Sequence, residues 1–303
     1  MTVRIRNARN EQDVRGAMQL ALDDDLRWRW QRYGTATPLA QAEVEQIFQF
    51  WWGIYQSTPE GFMVAEDDER GLIVGVAAAV RRPPQWMLTN FYVHPDYRGR
   101  GIGHQLLTCA CAVREGCDRF CLHASDDPAA QALYLRFGLY PQPHSIKFTG
   151  HAWQKLDVPA HLKLEEVSPL EALDVINPLD RSALGYERVV DHRYWMRFGS
   201  YFLVRRGQDL FGYFRIGRLP GNKSDIGPLV VAEDQSMGDV LQAALAVAQS
   251  RSEQQSLLVP GANQTAIARL LEYGYRCHDV ELLMSSVPMP GLSHVVFQDT
   301  DLL

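Results

Sequence analysis

The sequence predicts an α/β (α+β) fold arranged as two tandem copies, and three observations carry that prediction. Residues 86–93 (W-M-L-T-N-F-Y-V) are a compact β-rich run; a glycine-rich segment follows, and Ile102, Leu106, Leu107, Ala110 and Val113 then fall at helical spacing. Strand-like and helix-like runs alternate in the order β-α-α-β-β-β-α-β-α-β over roughly the first 150 residues, about one domain's length. The pattern then recurs, because Asn263, Ala266 and Gly274 each lie 136 residues after Asp127, Ala130 and Gly138. The expected copies are 1–153 and 160–303, with 150–163 as the connection.

Taken in order, residues 3–8 alternate apolar and basic side chains, as a strand near a sheet edge does. Residues 11–22 put Val14, Met18 and Leu22 at helical spacing, and 38–55 form a longer helix carrying Phe48, Phe50, Trp51, Trp52 and Tyr55. Residues 61–66 and 71–80 read as two strands joined by the charged turn Asp67-Asp68-Glu69-Arg70. After a short strand at 120–123, an aspartate cap with Pro128 in the first turn starts a helix that ends at Gly138. Asp127 is the cap in the better register, Asp126 if the loop carries one more residue. The first copy closes near Lys147-Phe148. In the second, 201–206 and 210–216 pair like a hairpin, 225–232 is a strand, 237–248 a helix and 256–260 a strand, before a helix begins at Asn263.

The most informative segment runs Val93-His94-Pro95-Asp96-Tyr97-Arg98-Gly99-Arg100-Gly101-Ile102-Gly103. Three glycines remove side chains that would shield backbone N–H groups, and Arg98 and Arg100 add positive charge. The unsatisfied N–H groups of a helix's first turn add more, so the loop suits an anion, a phosphate ester above all. A dinucleotide fingerprint needs G-x-G-x-x-G, whereas this run is G-x-G-x-G. A P-loop needs G-K-[ST], and here His104 and Gln105 follow Gly103. The pattern [QR]-x-x-G-x-[GA], with the lead-in V-x-P-x-[YW]-[RQ], fits from Val93 to Gly103. In this the segment resembles the pyrophosphate loop of the GNAT superfamily, the acetyl-CoA-dependent N-acyltransferases. The downstream Asp127-Ala130-Leu133-Tyr134-Gly138-Leu139 resembles the same family's N-x-x-A-x-x-L-Y-x-x-x-G-[FY] segment, with Asp127 in place of asparagine and Leu139 in place of an aromatic.

The resemblance implies two GNAT-type domains, each a mixed, mostly antiparallel sheet flanked by helices, and an N-acetyltransferase that moves acetyl from acetyl-CoA directly to a primary amine. It assigns the pyrophosphate to Arg98, Gly99, Arg100, Gly101, Ile102, Gly103 and His104, with Asp127 also on the coenzyme side. It assigns the pantetheine arm to the backbone of Phe91, Tyr92 and Val93, where one N–H polarises the thioester carbonyl. Tyr134 becomes the general acid, since a phenol with a reference pKa near 10 can protonate a departing thiolate. Without the family, Tyr134 reads as one more apolar-face residue packing its helix on a sheet.

The general base stays open among Asp23, Asp24, Asp25, Glu43, Glu45 and His123. The acceptor stays open too: Trp28, Trp51 and Trp52, in a group with Trp30, Tyr33, Phe48 and Tyr55, read either as walls of an amine pocket or as core. The second copy is expected to bind no coenzyme. Its loop reads Val231-Ala232-Glu233-Asp234-Gln235-Ser236-Met237-Gly238-Asp239, with one glycine, no arginine and three acidic residues, and Leu270 stands where the first copy has Tyr134. Its expected role is structural: covering the first copy, walling the acceptor site, or forming a homodimer contact.

Composition sets the outer bounds. With 303 residues, 46% of them hydrophobic and 22% charged, the chain reads as a soluble globular protein. A net charge of −6 argues against nucleic acid. No run approaches a membrane span and no apolar leader follows Met1, and with the cysteine usage this leads to the expectation of a cytoplasmic protein; the family resemblance implies a small-molecule or peptide amine as acceptor. Five cysteines (109, 111, 117, 121, 277) suggest neither a disulfide framework nor a metal site. Two rivals remain in view: an acyl-CoA-binding sensor or scaffold without catalysis, and an acyltransferase with a longer acyl donor.

Overall fold

The computed structural model describes residues 2–219, 221–232 and 237–302. The chain packs as two compact units, Met1–Phe120 and Cys121–Leu303. In the first, β1 (Val3–Asn7), β2 (Phe62–Asp67), β3 (Leu72–Arg82) and β4 (Gln85–Val93) pair antiparallel in that order. Helices α1 (Glu11–Tyr33), α2 (Gln41–Ser57) and α3 (Ile102–Cys111) complete the unit. Asn10 caps α1 by accepting from the Asp13 N–H, and the left-handed Gly34 ends it. The helix therefore runs well past the expected residue 22. Helix α3 lies close on β3 because Gly75 has no side chain; a Cβ there would stand 2.9 Å from Leu106 Cδ1 and 3.2 Å from Ala65 Cβ.

In the second unit the sheet order is β5 (Arg119–Ala124, entering through its last four residues), β13 (Arg276–Ser285), β7 (Ser145–Gly150), β12 (Gln254–Pro260), β11 (Lys223–Val231), β10 (Asp209–Leu219), β9 (Gly199–Arg206) and β8 (Lys163–Val167). Pairing is antiparallel except between β11 and β12. The short β6 (Tyr140–Pro141) lies on β13, and β14 (Val295–Val296) on β11. Helices α4 (Pro128–Arg136), α5 (Pro169–Leu184), α6 (Val189–Trp195), α7 (Met237–Gln249) and α8 (Gln264–Tyr273) complete it. Leu241, Leu245, Leu257, Val259 and Leu270 sit in one core with Phe148 and Val296.

Two features lay outside the sequence pattern. By the repeat, β5 and α4 correspond to β12 and α8, and β7 corresponds to the end of β13. Yet β7 pairs with β12, and β13 pairs with β5, so the last strands of the two copies are exchanged. That exchange draws residues 121–150 into the second compact unit, so the contact boundary falls at Phe120, earlier than the boundary near 153–160 that the sequence repeat leads one to expect. The second feature is the C-terminal strand. β11 and β12 pair only from Lys223–Asp225 to Gln254–Ser256 and then part. Into the gap runs β14, paired with Leu229 and Val230 on one side, while Phe297 N–H donates to the Leu258 carbonyl on the other.

Candidate active site

The glycine segment is a loop that opens onto α3. Residues Pro95–Tyr97 make one 3₁₀ turn, Gly99 and Gly101 take left-handed φ values of 75° and 78°, and Gly101 is the residue before the first turn of α3. Positive φ costs a side-chain-bearing residue steric strain, so both positions call for glycine on backbone grounds alone. A Cβ at Gly99 would meet nothing within 4 Å, and Arg98, Gly99, Arg100 and Gly101 are exposed. The loop therefore leaves room for a ligand at the positive end of a ten-residue helix.

Just upstream, the register of β4 slips by one residue. Ala78 faces Asn90 and Ala79 faces Leu88, leaving Thr89 as the extra residue of a β-bulge. Its hydroxyl donates to the Ala78 carbonyl at 3.0 Å, and Asn90 Nδ2 donates back to Thr89 Oγ1 at 3.2 Å. The bulge bends β4 before Phe91, Tyr92 and Val93, all half-buried. Motif reading had no signal for it, because a bulge depends on the partner strand.

The two arginines are held in place by the protein. Arg100 donates to the Asp96 carbonyl at 2.8 Å, with its guanidinium 5.3 Å above the Tyr97 ring. Arg98 donates to the Val93 carbonyl at 2.8 Å and to both oxygens of Asp24 on α1, at 3.0 and 3.1 Å. The backbone expected to face the coenzyme thus shares one carbonyl with Arg98.

Several expected residues have structural roles in the fold. Trp51 is buried, its ring 6.1 Å from Phe62 and 6.5 Å from Tyr92, which packs α2 on the sheet. Trp52 is half-buried in a stack with Tyr55 at 5.0 Å, Trp28 is half-buried and Trp30 is exposed; the Tyr33 side chain lies outside the described residues. Among the base candidates, Asp23 accepts from Gln19, Asp24 pairs with Arg27 and Arg98, and Asp25 pairs with Arg29. Glu43 accepts from the Ala40 N–H at the start of α2, and Glu45 pairs with Arg15.

In the second unit, Asp127 settles the cap: its carboxylate accepts from the Ala129 N–H at 2.9 Å at the start of α4. Tyr134 is 5% exposed on that helix. His123 has both ring nitrogens engaged, 3.1 Å from the Thr300 carbonyl and 2.8 Å from Ser145 Oγ. A carbonyl only accepts, so Nδ1 carries the proton and Nε2 accepts from the serine hydroxyl. Burial lowers the His123 pKa to about 4, so the ring is neutral at pH 7 and its lone pair is already committed, which makes it a poor base. The cysteines are free: Cys121 is buried, Cys277 exposed and the others half-buried, with burial raising the Cys111 thiol to about 11. Among the described residues, no group of three or more His, Cys, Asp or Glu is placed to hold a metal ion. Also among them, no helix is long and apolar enough to cross a membrane.

The second copy carries a buried polar network that motif reading missed. Asp180 accepts from Arg188 through both oxygens (3.0 and 2.7 Å), from His192 at 2.7 Å and from the Tyr213 hydroxyl at 2.5 Å. Tyr201 bonds the other His192 nitrogen at 2.9 Å. Burial pushes the Asp180 carboxyl up, but Arg188 and His192 outweigh it and hold it well below the usual carboxylate range. These side chains are spaced across α5, α6, β9 and β10, so only folding reveals them as one cluster. Leu270, where the first copy has Tyr134, is fully buried. Glu233, Asp234, Gln235 and Ser236 of the second copy's loop lie outside the described residues.

A bulged strand leads through an open, left-handed glycine loop into a helix N-terminus on a mostly antiparallel sheet, a geometry suited to an anion. Residues 21–139 match the model of the Acetyltransferase (GNAT) family, so that stretch of the chain is similar to it. A comparison with curated protein sequences finds no match. Among solved structures, one from Pyrococcus horikoshii described as a candidate acetyltransferase is similar over 99% of this chain and 96% of its own, at 17% identity and TM-score 0.75. A tandem GNAT protein from the clavulanic acid biosynthesis pathway is similar over 95% of this chain and 99% of its own, at 16% identity and TM-score 0.63. A GCN5-related N-acetyltransferase from Sphaerobacter thermophilus covers 95% and 96%, at 15% identity and TM-score 0.61. At such identities the likeness is one of fold.

Proposed function

We propose that the chain is an acetyl-CoA-dependent N-acetyltransferase of the cytoplasm whose first copy, residues 1–153, is active. The observation that carries this reading is the exposed glycine loop with two left-handed glycines leading α3, inside the segment that matches the family. In the proposal, the backbone from Arg98 to His104 holds the pyrophosphate, with Asp127 on the coenzyme side, and the end of β4 from Phe91 to Val93 holds the pantetheine arm. The acceptor is a primary amine on a small molecule or a peptide. Its nitrogen forms the new bond to the acetyl carbonyl carbon, a β4 N–H near Tyr92 or Val93 stabilises the oxyanion, and the carbon–sulfur bond breaks. Tyr134, assigned by its motif, gives its hydroxyl proton to the departing thiolate, and the proton that the nitrogen sheds on becoming an amide restores the phenol by way of solvent.

The second copy, residues 160–303, is proposed as a structural partner that binds no coenzyme, with a homodimer contact among its roles. Two observations support this. Val295, Val296 and Phe297 are fully buried between the parted strands β11 and β12, and Asn263 Nδ2, at the α8 cap, donates to the Val295 carbonyl at 2.9 Å. Gly227 on β11 lies so close that a Cβ there would collide with the Phe297 carbonyl. The strand gap in this copy is thus filled by its own chain. The test is twofold: an amine panel with thiol release as the readout, and coenzyme stoichiometry by calorimetry. Thiol release with no amine, or two coenzymes per chain, would refute the respective halves of the reading.

A further inference from the structure

The loop proposed to hold the pyrophosphate is tied to the β2–β3 turn, at the same end of the first unit's sheet, by a bond that no motif announces. Asp67 ends β2 at the turn into β3, and Tyr97 is the last residue of the 3₁₀ turn before Arg98. The Tyr97 hydroxyl donates to Asp67 Oδ2 at 2.5 Å, and the two side chains are 3% and 0% exposed. The other oxygen, Oδ1, accepts from the Glu69 and Arg70 N–H groups at 3.0 and 3.2 Å. One carboxylate therefore fastens the β2–β3 turn with one oxygen and the glycine loop with the other. The Tyr97 ring carries the loop's charge as well: the Arg100 guanidinium stands 5.3 Å above it, and the His94 ring meets it edge-on at 5.7 Å. His94 is in turn fixed to β3, its N–H donating to the Val74 carbonyl at 2.9 Å.

Resting on the proposed function of the loop, we infer that Asp67 and Tyr97 are positioning residues for pyrophosphate binding, a buttress that keeps the glycine loop in its binding geometry. The physical basis is simple. A loop with Gly99 and Gly101 has many backbone states, and only the one with its N–H groups convergent binds an anion. A bond from a tyrosine hydroxyl to a carboxylate is of the stronger, charge-assisted kind, and it stands one residue before the loop. Loss of the bond lowers the fraction of chains in the competent loop state, and apparent affinity falls by that fraction.

Tyr97→Phe isolates the effect, because it keeps the ring under Arg100 and leaves the β2–β3 turn its carboxylate. The probes are coenzyme A, followed by calorimetry, and pantetheine, which lacks the pyrophosphate, followed by NMR titration. Tyr97→Phe is expected to weaken coenzyme A by about tenfold and to leave pantetheine unchanged. Asp67→Asn, which keeps an oxygen acceptor but loses the charge, is expected to move coenzyme A in the same direction. A variant that only loses thermal stability, with the ratio of the two affinities kept at the wild-type value, overturns the buttress. If wild-type protein binds coenzyme A no better than pantetheine, the loop is not a pyrophosphate site, and the underlying reading fails with it.

Discussion

Replacing Gly101 by glutamate tests the anion loop where backbone and charge can be separated. Gly101 has φ 78° and ψ 1°, and a Cβ there would meet only Gln105 Nε2, at 3.9 Å. Steric collision within the protein is therefore absent, and two costs remain. A non-glycine residue in the left-handed region costs about 1–2 kcal/mol. A carboxylate ~5 Å from one pyrophosphate charge adds about 3 kcal/mol at an effective dielectric of 20 and under 1 kcal/mol in bulk water. The loop is exposed, so the repulsion falls between those limits, and the total is about 2–5 kcal/mol, or roughly 30- to several-thousand-fold in affinity. Gly101→Ala carries the strain alone and should lose about tenfold or somewhat more. Coenzyme A titration by calorimetry, with circular dichroism to confirm folding, reads both. A folded Gly101→Glu protein with undiminished affinity would place the ligand elsewhere. Equal losses in the two variants would mean that backbone strain, not charge, governs the loop.

Tyr134→Phe should lower turnover at saturating substrates by about 10²- to 10⁴-fold with coenzyme binding nearly unchanged; wild-type turnover would return Tyr134 to packing alone. Arg188→Met leaves the Asp180 carboxylate buried without its cation and should cost about 3–5 kcal/mol in urea unfolding, a loss that a well-exposed pair would not show. Burial raises the Asp299 carboxyl, and the Asp301 carboxyl beside it, above the ordinary carboxylate range, so over a pH window above that range the folded chain holds a proton that the unfolded chain releases. Stability from this group therefore falls as pH rises through that window, and Asp299→Asn should gain on wild type in Tm from pH 5 to pH 8. A constant difference across that range would show that the carboxyl titrates normally. Finally, the strand exchange predicts that separately produced halves, 1–159 and 160–303, are unstable alone and assemble when mixed. Two independently stable halves by size-exclusion chromatography would contradict it.

Local chemistry was legible in the sequence. The glycine loop, the caps at Asp127 and Asn263, and the strand–loop–helix order all depend on residues within a turn or two of one another, so spacing alone carries them. The family resemblance rests on those same residues. Spacing predicts α1 only to Leu22 because its second half, with Asp23, Asp24 and Asp25 followed by Trp28 and Trp30, lacks the one-sided apolar stripe that marks a helix. What only the tertiary structure decided involves partners far apart in the chain. The bulge at Thr89 exists by virtue of Ala78 on the neighbouring strand, and Asp67 meets Tyr97 across thirty residues. The exchange of β7 and β13, and the burial of Val295 to Phe297 between β11 and β12, turn on which strand edges meet across long stretches of chain. A strand's own alternation of apolar and polar residues states which face is buried, but not whose edge it will join.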